Sequence, residues 1–211
     1  MARYFKIILI ALVSTVLGCS SNDSLKKQDY FPLEIDKSIS YSVEEKNFTL
    51  TGGGKTSQYY IKETIGEQIG TVTEQPVYAL IRHKRTRPED TWSLDSLWSI
   101  YKQSDKVVKV ENNVSYIKLA LPLKAGITWN GNALNMLPAE NYAAYSNPEG
   151  MEIIHYNDSS AVELNRSREI YAPDKGMIYK EVIHYKYCQS TPDCIGKGIV
   201  ASGKSIVYKA Q

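Results

Sequence analysis

From Ser38 onward, apolar and polar residues alternate with a period of two, broken roughly every 8 to 15 residues by turn-forming residues, the pattern of half-buried strands. Ile39, Tyr41 and Val43 alternate with polar neighbours, and Phe48 and Leu50 lead into Gly52-Gly53-Gly54-Lys55. A return strand through Tyr59, Ile61 and Thr64 completes a long hairpin. Val77 to Lys84 reads as a further strand. Lys106 to Glu111 and Ser115 to Leu121 read as a second hairpin across Asn112-Asn113, since paired Asn tolerates left-handed turns. Between Trp92 and Lys102, helical spacing of Leu94, Leu97, Trp98 and Tyr101 competes with alternation, and the reading favours a strand over Leu97 to Lys102. Residues 134–150 read as irregular, Met151 to Tyr156 as a strand, Ala161 to Tyr171 as a strand or short helix, and Pro173 to Gly176 as a turn. Met177 to Cys188 and Gly198 to Tyr208 form a closing hairpin. With so many strands and little helix, the sheet must curl or double over to cover its apolar face. The expectation is one mainly β antiparallel domain over 30–211, a half-barrel or β-sandwich.

The first residues follow another pattern. Arg3 and Lys6 precede an apolar run, and Ile7 to Leu17 is eleven residues, well short of the about 20 that span a bilayer. A charged head, a short apolar core and a small residue before the cut predict a signal peptide over 1–18. Leu17-Gly18-Cys19 resembles the lipobox of bacterial lipoproteins, which implies lipid on Cys19 and anchorage in a membrane, each buried methylene contributing about 0.8 kcal/mol. Ser20, in place of the Asp seen in many inner-membrane lipoproteins, points to the outer membrane. Residues 19–29 read as a polar tether, and their shortage of acids favours a periplasmic over a surface-exposed domain.

Loss of Arg3 and Lys6 from the 25 basic residues leaves them equal to the 23 acidic ones. Such balance supplies no large field for nucleic acid, so no nucleic-acid partner is expected. Sixteen tyrosines against three phenylalanines suit a sheet with many half-exposed aromatic positions.

Three stretches carry a resemblance. Tyr30-Phe31-Pro32-Leu33-Glu34-Ile35, Lys118-Leu119-Ala120-Leu121-Pro122 leading to Gly126-Ile127-Thr128-Trp129-Asn130-Gly131-Asn132, and Glu169-Ile170-Tyr171-Ala172 leading to Gly176-Met177-Ile178-Tyr179-Lys180-Glu181 resemble a family of uncharacterised lipoproteins from Bacteroidota. The resemblance spans nearly all of the mature chain and departs at Asp36 to Ile39. It implies fold, source and compartment, and brings no activity with it.

Gly52-Gly53-Gly54-Lys55-Thr56 lacks the leading Gly of a phosphate-binding loop, with Thr49 in its place, and reads as a hairpin turn. His83, His155 and His184 lie apart without metal-site spacing, no Gly-x-Ser-x-Gly elbow exists, and neither metal nor cofactor is expected. Trp129, Asn130 and Asn132 form the most distinctive local group: either a stacking platform with amide donors for a sugar or peptide, or a buried Trp ending a strand at an Asn-Gly turn. Asp23-Ser24-Leu25 and Asp95-Ser96-Leu97 are similar to the O-glycosylation acceptor used in Bacteroidota, and Ser24 in the tether is the candidate.

With Cys19 lipidated, Cys188 and Cys194 are the two remaining thiols, and an oxidising compartment predicts their disulfide. Paired positions near a hairpin's mouth lie about 4.5 to 5.5 Å apart at Cα, inside the range a disulfide accepts. Zinc is the alternative, but five intervening residues exceed its usual spacing. The functional expectation is a non-catalytic, lipid-tethered envelope domain that binds or scaffolds an envelope protein or glycan. The alternatives are a carrier of an apolar or acyl ligand in a half-barrel cavity, and a glycan-processing enzyme.

Overall fold

The computed structural model describes residues 28–50 and 54–211. Residues 1–18, read from the sequence as a signal peptide, Cys19, Ser24 and most of the glycine turn at 51–53 lie outside them. The described residues contain no helix. Their strands are β1 (Ser38–Phe48), β2 (Gly54–Val72), β3 (Gln75–Arg85), β4 (Ser93–Lys102), β5 (Lys106–Glu111), β6 (Val114–Ala120), β7 (Thr128–Asn130), β8 (Asn141–Asn147), β9 (Gly150–Ser159), β10 (Glu163–Ala172), β11 (Gly176–Tyr187) and β12 (Val200–Ala210). All belong to one antiparallel sheet in the order β6-β5-β4-β3-β2-β1-β12-β11-β10-β9-β8-β7. The first and last strands pair in its middle, Val43 opposite Tyr208, and its two edges, β6 and β7, are consecutive in the chain.

Those edges meet and nearly close the sheet into a barrel. Ile117 N–H donates to Gly131 O (2.9 Å), Trp129 Nε1–H to Ile117 O (2.9 Å), and Asn135 Nδ2 to Ser115 O (2.7 Å). Closure of this kind covers edge groups that would otherwise pair with another chain. The curled single sheet is the half-barrel form of the expected fold, and no second sheet stacks on it among the described residues.

Alternation sets the inward face. Tyr41, Val43 and Ile61 form one buried cluster, and Ile65, Leu80, Ile100, Val107, Leu119, Tyr142, Ala144, Met151, Ile153 and Tyr171 form the larger one. Burying each large apolar side chain contributes about 1.5–3 kcal/mol. Tyr30, Phe31 and Leu33 pack against the larger cluster, and the Phe31 ring lies 6.0 Å from that of Tyr171. Asp29 is held by Lys102 (2.5 Å) and accepts at its carbonyl from Asp174 N–H (2.7 Å). The chain therefore enters the barrel at the end that carries the β2–β3, β4–β5, β8–β9 and β10–β11 turns, called the entry end below. The loops after β1, β3, β5, β7, β9 and β11 gather at the far end.

Several boundaries differ from the sequence reading. β2 runs on to Val72, because Gly66, Gln68 and Gly70 sit at register shifts that interrupt its alternation. β8 occupies part of the stretch read as irregular, its inward positions being Tyr142 and the small Ala144. The 161–171 stretch resolves to strand. Asn112 and Asn113 both take positive φ (50° and 64°) at the β5–β6 turn, as paired Asn allows. Cys188 and Cys194 are bonded, with Cα atoms 5.6 Å apart. They are not cross-strand partners, however: Cys188 N–H pairs with Ile199 O, and Cys194 lies in a turn where its N–H bonds Thr191 O.

Candidate functional site

Inside the barrel, several positions in register with the apolar face carry charge. Glu63 shares the side of β2 that holds Ile61 and Ile65, Arg82 that of Leu80, Lys109 that of Val107, and Glu169 that of Tyr171. Glu63 binds Arg82 (3.3 Å) and Lys109 (3.2 Å), Lys109 reaches Glu111 (3.5 Å), and Arg82 reaches Asp95 (3.4 Å). Across the interior, Glu169 is 1% exposed and collects Lys118 (2.7 Å), Lys180 (3.2 Å) and the Tyr171 hydroxyl (2.7 Å). Lys118 and His155 reach this group from irregular points of their strands, where the β5–β6 and β9–β10 registers shift. His155 stacks on Tyr142 with centroids 4.0 Å apart, shares a hydrogen bond with Ser167 through Nδ1 (3.2 Å), and places Nε2 3.5 Å from Glu169.

The electrostatics follow from burial set against pairing. Burial alone would raise the Glu169 carboxyl, yet Lys118 and Lys180 outweigh it and hold the group well below the usual carboxylate range. Glu111 is likewise desolvated, but Lys109, Lys180 and Lys118 bring it down to about 2. The two lysines on Glu169 diverge: burial pushes Lys118 down, whereas the pull of Glu169 and Glu111 overcomes burial at Lys180 and raises it. Lys180 thus acts as the firm counter-ion and Lys118 as the softer one. His155 is pushed down by burial in spite of Glu169, and is neutral at pH 7.

Between these groups lies a cavity of about 70 Å³, which reaches the entry end beside Pro32, Lys37, Lys175 and Gly176. That space admits a few waters. It is well below the roughly 300–1,000 Å³ of drug-sized ligand pockets.

The candidates named from sequence fall elsewhere. Trp129, Asn130 and Asn132 do come together, at the β6/β7 seam. Trp129 bonds Ile117 and packs edge-on against Tyr142 (5.9 Å), while Asn130 Oδ1 accepts from Asn132 N–H and Glu140 N–H (both 3.0 Å). Asn132 is buried and donates through Nδ2 to Pro138 O (2.7 Å), so its amide is committed to the loop. Gly131 is required between them, since a Cβ there would lie 2.3 Å from the Tyr142 ring. The three histidines stay apart: His83 on β3, His155 in the interior, and His184 exposed beside Tyr156 and Asn165. Ser96 Oγ bonds Asp95 (2.9 Å). The interior ion network was missed by sequence reading, although charged residues at apolar register positions were its signal.

Comparison with known proteins finds no matching protein-family model, no curated relative and no similar solved structure.

Proposed function

We propose that this chain is a lipid-anchored, non-catalytic envelope domain that binds or scaffolds another envelope component, set on the periplasmic side of an outer membrane by lipid on Cys19. The observation that carries this reading is the filled interior: a nearly closed barrel whose centre holds ion pairs and only about 70 Å³ of space. An acyl carrier needs a deep apolar cavity, and this one is too small for an acyl chain and sets Glu63, Lys109, Lys118, Glu169 and Lys180 among its apolar walls. A glycosidase using this cavity needs a carboxylic acid protonated at working pH, and there the lysines keep Glu111 and Glu169 ionised, while Glu140, which burial raises, does not line it. Both carboxylates suit the work of counter-ions. With the interior occupied, recognition falls to the outer surface. The tether joins at the entry end, so the far-end loops project away from the membrane, towards any partner.

Two measurements on protein taken from its own host test the proposal. Native mass spectrometry should show the lipidated polypeptide with no further ligand, and cross-linking in intact cells should give a defined adduct with a second envelope molecule. A stoichiometric extractable acyl compound would overturn the reading in favour of a carrier, and absence of any adduct would remove the scaffold role.

A further inference from the structure

The outward face of β2, β3 and β4 combines aromatic, cationic and aliphatic side chains. Its side chains stand in cross-strand rows: Tyr60 opposite Arg85, Lys62 opposite His83 opposite Leu94, and Thr64 opposite Ile81 opposite Leu97. Trp92, just before β4, completes the first row. The Arg85 guanidinium lies 4.3 Å from the centre of the Trp92 ring and 5.3 Å from that of Tyr60, and Lys62 Nζ lies 5.1 Å from that of Trp92. The neighbouring outward positions of β1 are Ser38, Ser40 and Ser42. Of the nearby acids, Glu63 and Asp95 go to Arg82 on the inner side, and Glu89 and Asp90 of the β3–β4 loop pair with Arg87, Asp90 feeling Arg85 only beyond ion-pair range.

Two independent observations mark this face as lacking a partner. Of the five arginines among the described residues, Arg82, Arg87, Arg166 and Arg168 are each paired with a carboxylate, and Arg85 is not. Buried polar side-chain atoms without a hydrogen-bond partner occur at Arg82, His83, Arg85, His155 and Arg166. All but His83 and Arg85, both on this face, have a carboxylate within ion-pair range. Beside them Leu94 and Leu97 are each 66% exposed. A stacked guanidinium keeps its N–H fork oriented and is ready for two-point contact with a carboxylate. Trp, Tyr and Arg are also the residues that dominate protein interfaces.

We propose that this face docks an acidic polypeptide segment whose carboxylates meet Arg85 and Lys62 and whose aliphatic side chains cover Leu94 and Leu97. The proposal rests on the binding role given above and names the partner's chemistry. The absence of acids among the rows supplies the charge complementarity, and the two leucines favour polypeptide over glycan. The Trp92 ring already carries two cations, which leaves little of it for sugar stacking. Arg85 and Trp92 lie towards the far end, away from the tether, which disfavours the anchoring membrane as the occupant.

The test uses detergent-solubilised full-length lipoprotein and a fluorescein-labelled peptide of alternating Glu and Leu, read by anisotropy. Saturable binding is expected, weakening with added salt. Arg85→Ala should reduce affinity by about tenfold or more, and Leu94→Asp, at an exposed position that folding tolerates, should also reduce it. Lys124→Ala, at an exposed lysine of the β6–β7 connection at the entry end, should leave it unchanged. Equal binding by the wild type and Arg85→Ala overturns the proposal. So does a preference for polygalacturonate or phosphatidylglycerol vesicles that depends on Arg85. If the peptide fails to bind while the cellular adduct persists, this face is wrong and the scaffold role stands; if the adduct is missing as well, both fall.

Discussion

Replacing Glu169 with Gln removes the anion on which Lys118 (2.7 Å) and Lys180 (3.2 Å) converge, at a position 1% exposed. The amide can still accept from Tyr171, but the buried Lys118 ammonium and the partly buried Lys180 ammonium lose their counter-charge. Breaking a buried pair from one side costs about 3–5 kcal/mol, because an uncompensated charge stays behind. For a domain of this size each kcal/mol moves Tm by roughly 2–4 °C, so the variant should melt about 6 to 20 °C lower. Thermal unfolding followed by circular dichroism, with urea titration as a check, measures this directly. Lys118 is the softer counter-ion, so adding Lys118→Met should recover part of the loss, since that change removes one of the stranded charges. A fall of less than about 2 °C, or a double variant worse than the sum of its parts, would refute the reasoning and imply that water reaches the interior freely.

Three further outcomes follow from the same structure. Stability should fall with acid in two stages: the unfolded chain protonates at His155 near its ordinary value of 6.5 while the folded chain resists, and below 4.5 it also takes protons at Glu111 and Glu169, both depressed in the fold. A Tm that is flat or rising from pH 7 to pH 3 would contradict this. Gly131→Ala should destabilise by about 1–3 kcal/mol, visible in the urea midpoint, because its Cβ would meet the Tyr142 ring at 2.3 Å. Reducing Cys188–Cys194 should cost only about 2 kcal/mol on the chain-entropy model for so short a loop; alkylation of the unreduced, denatured protein, read by mass spectrometry, should modify neither cysteine.

Alternation alone located most of the strands, since Tyr41, Val43 and Ile61 stand on one side of a period-two pattern and turn chemistry marks their ends. It lost β2 beyond Thr64, where register shifts break the period, and β8, where Ala144 gives little apolar signal at a fully buried site. The interior ion pairs were partly legible: Glu63, Arg82, Lys109 and Glu169 occupy apolar register positions, an arrangement that a solvated face would not produce. Lys118 was not legible, because the register shift beside it turns it inward against the alternation, whereas His155 continues the inward row of Met151 and Ile153 and carried the same signal. The docking face depends on which strands are neighbours, and the approach of Trp92 to Lys62 and Arg85 follows from cross-strand register that no local pattern encodes. The Trp129-Asn130-Gly131-Asn132 stretch stood out in the sequence for its turn chemistry, and in the fold that chemistry shapes the loop at the seam where the barrel closes.

Lipid on Cys19 decides whether this barrel is a membrane-tethered domain at all. Metabolic labelling with a clickable fatty-acid analogue, followed by mass spectrometry of the mature N-terminal peptide, tests it most directly. The account predicts a chain that begins at a lipid-bearing Cys19 and loses all label in Cys19→Ala. Label that survives the substitution, or a mature chain that begins elsewhere without lipid, would contradict it.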